Sequence, residues 1–211
     1  MGGLGLIGRR RAIASSPTTS SMIKFVDPVV ESICVANFSS DGVGVSYEDA
    51  AAVTSLGAVF KNNVNIVRFP ELRFFTNVKE LGASAFFGCK NLVEINTDNI
   101  EQIGQSNVFG ETGIEHLNLP NIKTIGPTAF QDFAGHKVTL GANITSIDQY
   151  NFWRWKIAAP VIILAPNPPT VAGNNEPGWY GIKFYVPDEY LDNYKSWKYA
   201  SSTFALSTLQ Q

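Results

Sequence analysis

The chain has 211 residues, enough for one domain with closing elements at its ends or for two small domains. Apolar residues make up 45% and charged residues 16%, which allows a sizeable core and argues against wholesale disorder. The net charge of −2 gives no general attraction for nucleic acid or a membrane surface.

Residues 1–22 read as a flexible apolar-basic arm. Glycine, serine and threonine predominate there, with no acid and no periodicity. Leu4, Leu6 and Ile7 come first and Arg9, Arg10 and Arg11 follow. A secretory signal has the opposite order, so none is expected here. The three apolar side chains suit docking on a neighbouring subunit, and the arginines suit its acids. The longest apolar run, "IAAPVIILAP" (157–166), is too short to span a bilayer, so no membrane insertion is expected.

Residues 23–63 contain "NFSSDGVGVSYEDAAAV" (37–53), which has the look of a calcium loop. With Asp49 at the loop's twelfth position, Phe38 falls at the first and Gly42 at the fifth, so most oxygen ligands are missing. A turn leading into a helix at about 46–55 fits better, with Ser46 as N-cap and Glu48 and Asp49 in the first turn. Cys34 has apolar neighbours and is expected in the core.

From residue 64 the chain repeats itself in steps of 22. Val78, Ile100, Ile122 and Ile144 share one phase; Leu81, Ile103, Ile125 and Ile147 share the next. Gly82, Gly104 and Gly126 follow, then Phe86, Phe109, Phe130 and Phe152, the second displaced by one residue. Such a period is the mark of a solenoid, in which one unit cannot bury its own apolar face and stacked units share a core. The aliphatic residues should form ladders and the phenylalanines a spine. Glycine after isoleucine suits a turn where a side chain would clash or where φ is positive. Each unit offers a short strand, "LVEIN" (92–96) or "IEHLNL" (114–119), and a looser return such as "SAFFGC" (84–89) or "TAFQDF" (128–133). Along such a strand alternate residues leave the core. The candidate outward rows are Glu94 and Asn96, His116 and Asn118, and Lys137 and Thr139. A solvated face without a ligand is the alternative.

"VKELGASAFFGCKNLVEIN" and "IKTIGPTAF" resemble the BspA-type leucine-rich repeat. Leu81, Gly82, Ala85, Phe86, Cys89, Leu92 and Ile95 match one unit; Ile125, Gly126, Ala129 and Phe130 match another. The resemblance covers about residues 64–165 and weakens in "FAGHKVTLGANITSID" (133–148) and "YNFWRWK" (150–156). The asparagine of the ordinary leucine-rich repeat is not kept in phase. The resemblance implies a mainly β chain with short helices, a right-handed solenoid with N- and C-terminal caps at 23–63 and 166–211. In "KFYVPDEYLDNYKSW", "KFYVP" reads as a strand, and Pro187 and Asp188 open a helix containing Tyr190, Leu191, Tyr194 and Trp197. Trp179, Tyr185, Tyr190, Tyr194 and Trp197 suit burial in the cap better than a glycan-stacking patch.

No catalytic motif stands out. There is no G-x-S-x-G, no phosphate loop, no H-E-x-x-H and no C-x-x-C. His116 and His136 cannot build a three-histidine metal site, and Cys34 and Cys89 cannot build a disulfide framework. "NFS" (37–39) and "NIT" (143–145) fit the glycosylation pattern at chance level. No catalytic residue, metal or cofactor is expected. The resemblance implies a non-enzymatic protein-binding or adhesion module. The arm favours a structural component of a larger assembly, such as a phage virion, with other subunits or copies of itself as partners. The alternatives are a bacterial cell-surface adhesin for host protein or glycan, and an enzyme of unknown type.

Overall fold

The computed structural model describes residues 21–155, 159–172 and 181–209. Two helices come first, α1 (Pro28–Phe38) and α2 (Tyr47–Ala52). Twelve short strands follow. They are β1 (Arg68–Phe69), β2 (Glu80–Leu81), β3 (Glu94–Ile95), β4 (Gln102–Ile103), β5 (His116–Leu119) and β6 (Thr124–Ile125). Then come β7 (Lys137–Leu140), β8 (Ser146–Ile147), β9 (Val161–Ile163), β10 (Thr170–Val171), β11 (Phe184–Val186) and β12 (Thr203–Ala205).

All named strands pair in parallel and in sequence order. One sheet is β2-β4-β6-β8-β10; a second is β5-β7-β9-β11-β12; β1 pairs with β3 alone. Mainly β structure with a few short helices in parallel sheets therefore holds, and the stacked order fits a solenoid. The expected front strands are present at 94–95 and 116–119. Each repeat also has a second strand, at the phase of Leu81, Ile103, Ile125 and Ile147. Those four side chains stand in register with one another and, through β10, with Val171. All four are buried, as are Val78, Ile100, Ile122 and Ile144.

The return segments form the spine. Phe60, Phe86, Phe109, Phe130 and Phe152 are buried, with successive ring centroids 5.4, 6.0, 6.4 and 6.2 Å apart and near-parallel planes. These irregular stretches satisfy their backbone from one unit to the next: Phe86 N–H donates to Val108 C=O at 3.0 Å, and Val108 N–H to Ala129 C=O at 2.9 Å. In the next unit the buried Asn151 side chain takes over that role, its Oδ1 accepting from Ala129 N–H at 3.0 Å.

Glycine's part is steric. A Cβ on Gly126 would lie 3.0–3.2 Å from backbone atoms of Gly104 and Gln105 in the preceding unit, while one on Gly82, at the start of its sheet, would meet nothing within 4 Å. Positive φ falls two residues later, at Ser84 (58°), Ser106 (66°), Thr128 (55°) and Tyr150 (59°).

Helix α1 arises from Asp27 and Pro28. Asp27 Oδ1 accepts from Val29 and Val30 N–H at 2.9 and 3.3 Å, and Pro28 supplies a preset φ in the first turn. Val30 and Cys34 then reach the core. Asp27 Oδ2 accepts from Val67 and Arg68 N–H at 2.6 and 3.2 Å, so one carboxylate caps a helix and closes the edge of β1. Ser46 caps α2 as expected, in a reciprocal box with Asp49.

At the other end, β11 matches the expected strand, but Asp188–Tyr194 is a 3-10 helix. The three-residue repeat aligns Leu191 and Tyr194 toward the core, and Trp197, just past the helix, packs there too. Tyr194 Oη donates to Ala165 C=O at 3.0 Å, and the Trp197 indole N–H to Pro169 C=O at 3.0 Å. Tyr190 packs there too, which suits burial rather than glycan stacking for these three aromatics. Trp179 lies outside the described residues, as does the 1–20 part of the N-terminal segment with Leu4, Leu6, Ile7 and Arg9–Arg11.

Candidate binding face

The front strands present alternate side chains outward because the intervening ones are drawn into the core. In β5, Leu117 and Leu119 are buried and His116 and Asn118 exposed; in β7, Val138 and Leu140 are buried and Lys137 and Thr139 half-buried. Parallel register sets His116 beside Lys137 and Asn118 beside Thr139. These four candidate residues therefore form two adjacent pairs on one sheet.

Glu94 and Asn96 are engaged differently. Strand β3 ends at Ile95, and Glu94 meets Arg68 of β1 in an ion pair at 3.5 Å. Asn96 is drawn into a local turn, where its Nδ2 donates to Asp98 Oδ2 at 2.9 Å and its Oδ1 accepts from Asp98 N–H at 3.0 Å. The Thr97 hydroxyl ties this unit to the next by donating to Asn118 C=O.

The Asn118–Thr139 row continues to Ile162, Tyr185 and Phe204 in register. Ile162 is buried, Tyr185 is half-buried and Phe204 is exposed. The Tyr185 and Phe204 rings lie 5.8 Å apart, with Lys183 Nζ 6.0 Å from the Phe204 centroid. The face thus runs from polar to aromatic along the stack. Sequence reasoning missed Arg68 and Phe204. The row step linking Asn118 to Thr139 extends to Phe204 only through units of unequal length.

An asparagine series was also overlooked. Asn77, Asn99 and Asn121 recur at the same step of 22 residues. Their Nδ2 groups donate to Ala51, Arg73 and Asp98 C=O at 2.7, 2.7 and 2.8 Å. Each rung is thereby fastened to the unit before it. Beside this series Glu101 stands between Lys79, at 3.8 Å, and Lys123, in closer contact. The Lys123 hydrogen bond holds the Glu101 carboxyl below the ordinary range.

Elsewhere the ionisable groups serve local structure. Asp41 Oδ1 accepts from Val43 N–H, Ser39 Oγ–H and Gly44 N–H at 2.8, 2.9 and 3.3 Å, which lowers its pKa. Asp49 is spent on the Ser46 cap. Cys34 and Cys89 are free and buried; burial pushes both thiols up, Cys89 to about 11, which disfavours thiolate chemistry. Among the described residues no group of three or more His, Cys, Asp or Glu could hold a metal ion, and no helix is long and apolar enough to cross a membrane.

The family model for the BspA type leucine rich repeat region matches residues 58–163, in six copies. No curated protein matches the chain.

Proposed function

The chain belongs to the BspA-type leucine-rich repeat family, and from that premise we propose that it is a non-enzymatic protein-binding module working as a structural component of a larger assembly. The observation that carries the binding reading is the register of His116 with Lys137 and of Asn118 with Thr139 on one outward face. Two side-by-side pairs of polar side chains on a rigid parallel sheet offer a partner fixed donors and acceptors at strand spacing. In this reading Glu94 and Asn96, in the preceding unit, also take part, Glu94 together with its Arg68 partner.

In this reading residues 64–165 form a right-handed solenoid. Residues 23–63, with α1 and α2, cap one end, and residues 166–211 cap the other. Bare end units expose apolar surface, which supports the need for such elements. The anchor is the arm at 1–22, on the strength of its sequence: Leu4, Leu6 and Ile7 to bury on a partner, Arg9, Arg10 and Arg11 to pair with its acids. A phage virion, or another extracellular assembly, is the proposed setting.

Deleting residues 1–20 tests this. The expected result is a folded repeat region with unchanged melting temperature and no incorporation into the assembly. Normal incorporation of the truncated chain would remove the anchor and favour a cell-surface adhesin instead.

A further inference from the structure

The front face carries one row that the polar face does not use. It takes the residues one before each paired row: Val67 and Val93 before the Arg68–Glu94 pair of β1 and β3, and Glu115 and His136 before the His116–Lys137 pair of β5 and β7. Val67 is 42% and Val93 50% exposed, and Val26 (61%) and Val64 (45%) lie around them. Backbone contacts fix the neighbourhood: Val93 N–H donates to Val67 C=O at 2.9 Å, and Asn91 Nδ2 to Val64 C=O at 2.7 Å. Val26, Pro28, Val29 and Val67 line an open groove of about 270 Å³. Val26 and Val67 share this groove with Asp27, Asn65 and Arg68, and exposed apolar side chains gathered in this way are candidates for an interaction site. The row then changes character. Glu115, one 22-residue step after Val93, is exposed and makes no ion pair with any described residue.

We propose that this patch receives the N-terminal segment of a second copy of the chain, with Leu4, Leu6 and Ile7 on the valines and Arg9–Arg11 toward Glu115. The inference rests on the reading of residues 1–22 as an assembly arm and names its partner. Three observations support it. The order of chemistry matches: apolar then basic in the segment, apolar then acidic along the row. The spacing matches as well. Docked as an extended strand, at about 3.3 Å per residue, the segment would set Arg9 and Arg10 roughly 7–10 Å beyond Ile7. The unit of Glu115 stacks on that of Val93, where a Cβ on Gly113 would lie 3.4 Å from Val93 Cγ1, so at a unit spacing of about 4.8 Å Glu115 falls roughly 5–10 Å beyond Val93 and Val67. Direction favours another copy. The chain passes from Ser21, whose C=O accepts from Tyr47 N–H, and the Met22–Ser46 bridge to Asp27, at the edge of β1. Upstream of Val26, which lines the groove, the described chain runs to Ser21 beside the start of α2, so residues 1–20 join it there rather than at the groove.

The test is sedimentation of the full chain across a wide concentration range. We expect concentration-dependent self-association that disappears when residues 1–20 are deleted. It should also weaken at least tenfold in Val67→Thr/Val93→Thr, two exposed positions where the shape is kept and the apolar surface reduced. Glu115→Lys should weaken it likewise, and Arg9→Glu/Arg10→Glu/Arg11→Glu in the same chain should restore it. As a second measurement independent of affinity, mixed Leu6→Cys and Val93→Cys chains should form a disulfide between copies. A full chain that stays monomeric, or association unaffected by Val67→Thr/Val93→Thr, overturns the inference. If the truncated chain still fails to enter the assembly in that case, the arm remains an anchor, but on a different protein.

Discussion

The Phe109 ring lies 6.0 Å from that of Phe86, with planes 8° apart, although Phe109 is displaced by one residue from the 22-residue phase. Val108 absorbs the displacement: it is buried beside Phe109 and its carbonyl accepts from Phe86 N–H. The spine is therefore continuous through the irregular unit. Phe109→Ala should destabilise by about 3–5 kcal/mol, as large-to-small aromatic core changes do. Glu101→Ala, which removes only exposed ion pairs, should have a small effect by comparison. Denaturant unfolding of both variants measures the contrast, and similar small effects would refute the spine.

Gly126 and Gly82 occupy the same repeat position in different surroundings. Gly126→Ala sets a methyl against the backbone of Gly104 and Gln105 and should cost about 1–3 kcal/mol. Gly82→Ala meets open space and should be neutral or stabilise by about 0.5 kcal/mol through the unfolded chain. Equal melting temperatures for the two variants would contradict unit-on-unit contact at this position.

Asp27 ties α1 to β1, so its loss should be felt in both. Asp27→Ala leaves two helix N–H groups and two at the start of β1 without their acceptor and should cost about 2–4 kcal/mol. Burial alone would raise this carboxyl's pKa, but the four backbone donors outweigh it and hold the pKa below the ordinary 3.8. A group depressed in this way stabilises the fold above its unfolded pKa and loses that contribution as pH falls through the folded one. The stability difference between wild type and Asp27→Asn should therefore be constant near neutrality and shrink below about pH 3.8. Chemical denaturation at a series of pH values reads it directly.

The 37–49 loop should ignore calcium. Asp41 Oδ1 is held by three donors of its own loop, and Asp49 by Ser46. Calcium takes about six to eight oxygens, and this loop has no such set to give. Calorimetric titration should show no site tighter than millimolar; a tighter site lost in Asp41→Ala would overturn the local reading of these carboxylates.

The repeat was legible because several residue types recur together: Leu81, Ile103, Ile125 and Ile147 with Phe86, Phe109, Phe130 and Phe152. The short strands at the aliphatic phase were harder to see, since two paired residues carry no alternation. Helix α1 escaped because Val29, Val30, Ile33 and Val35 are β-branched and favour strand locally, while packing of Val30 and Cys34 decides for helix. Thr128 and Tyr150 adopt positive φ with side chains that do not advertise it; the repeat geometry imposes it. On the face, alternation alone indicated His116, Asn118, Lys137 and Thr139. The Arg68–Glu94 ion pair and the turn that engages Asn96 depend on where β3 ends, which the sequence pattern does not mark.

In the proposed function the outward face of the front strands meets a protein partner and that of the β2-β4-β6-β8-β10 sheet does not. A photo-crosslinking residue at position 116, or at the exposed Gln102 of β4, tests it in the full chain within its native assembly. Covalent adducts with another protein chain are expected from position 116 and none from position 102. Adducts from position 102 alone, or none from position 116, would contradict it.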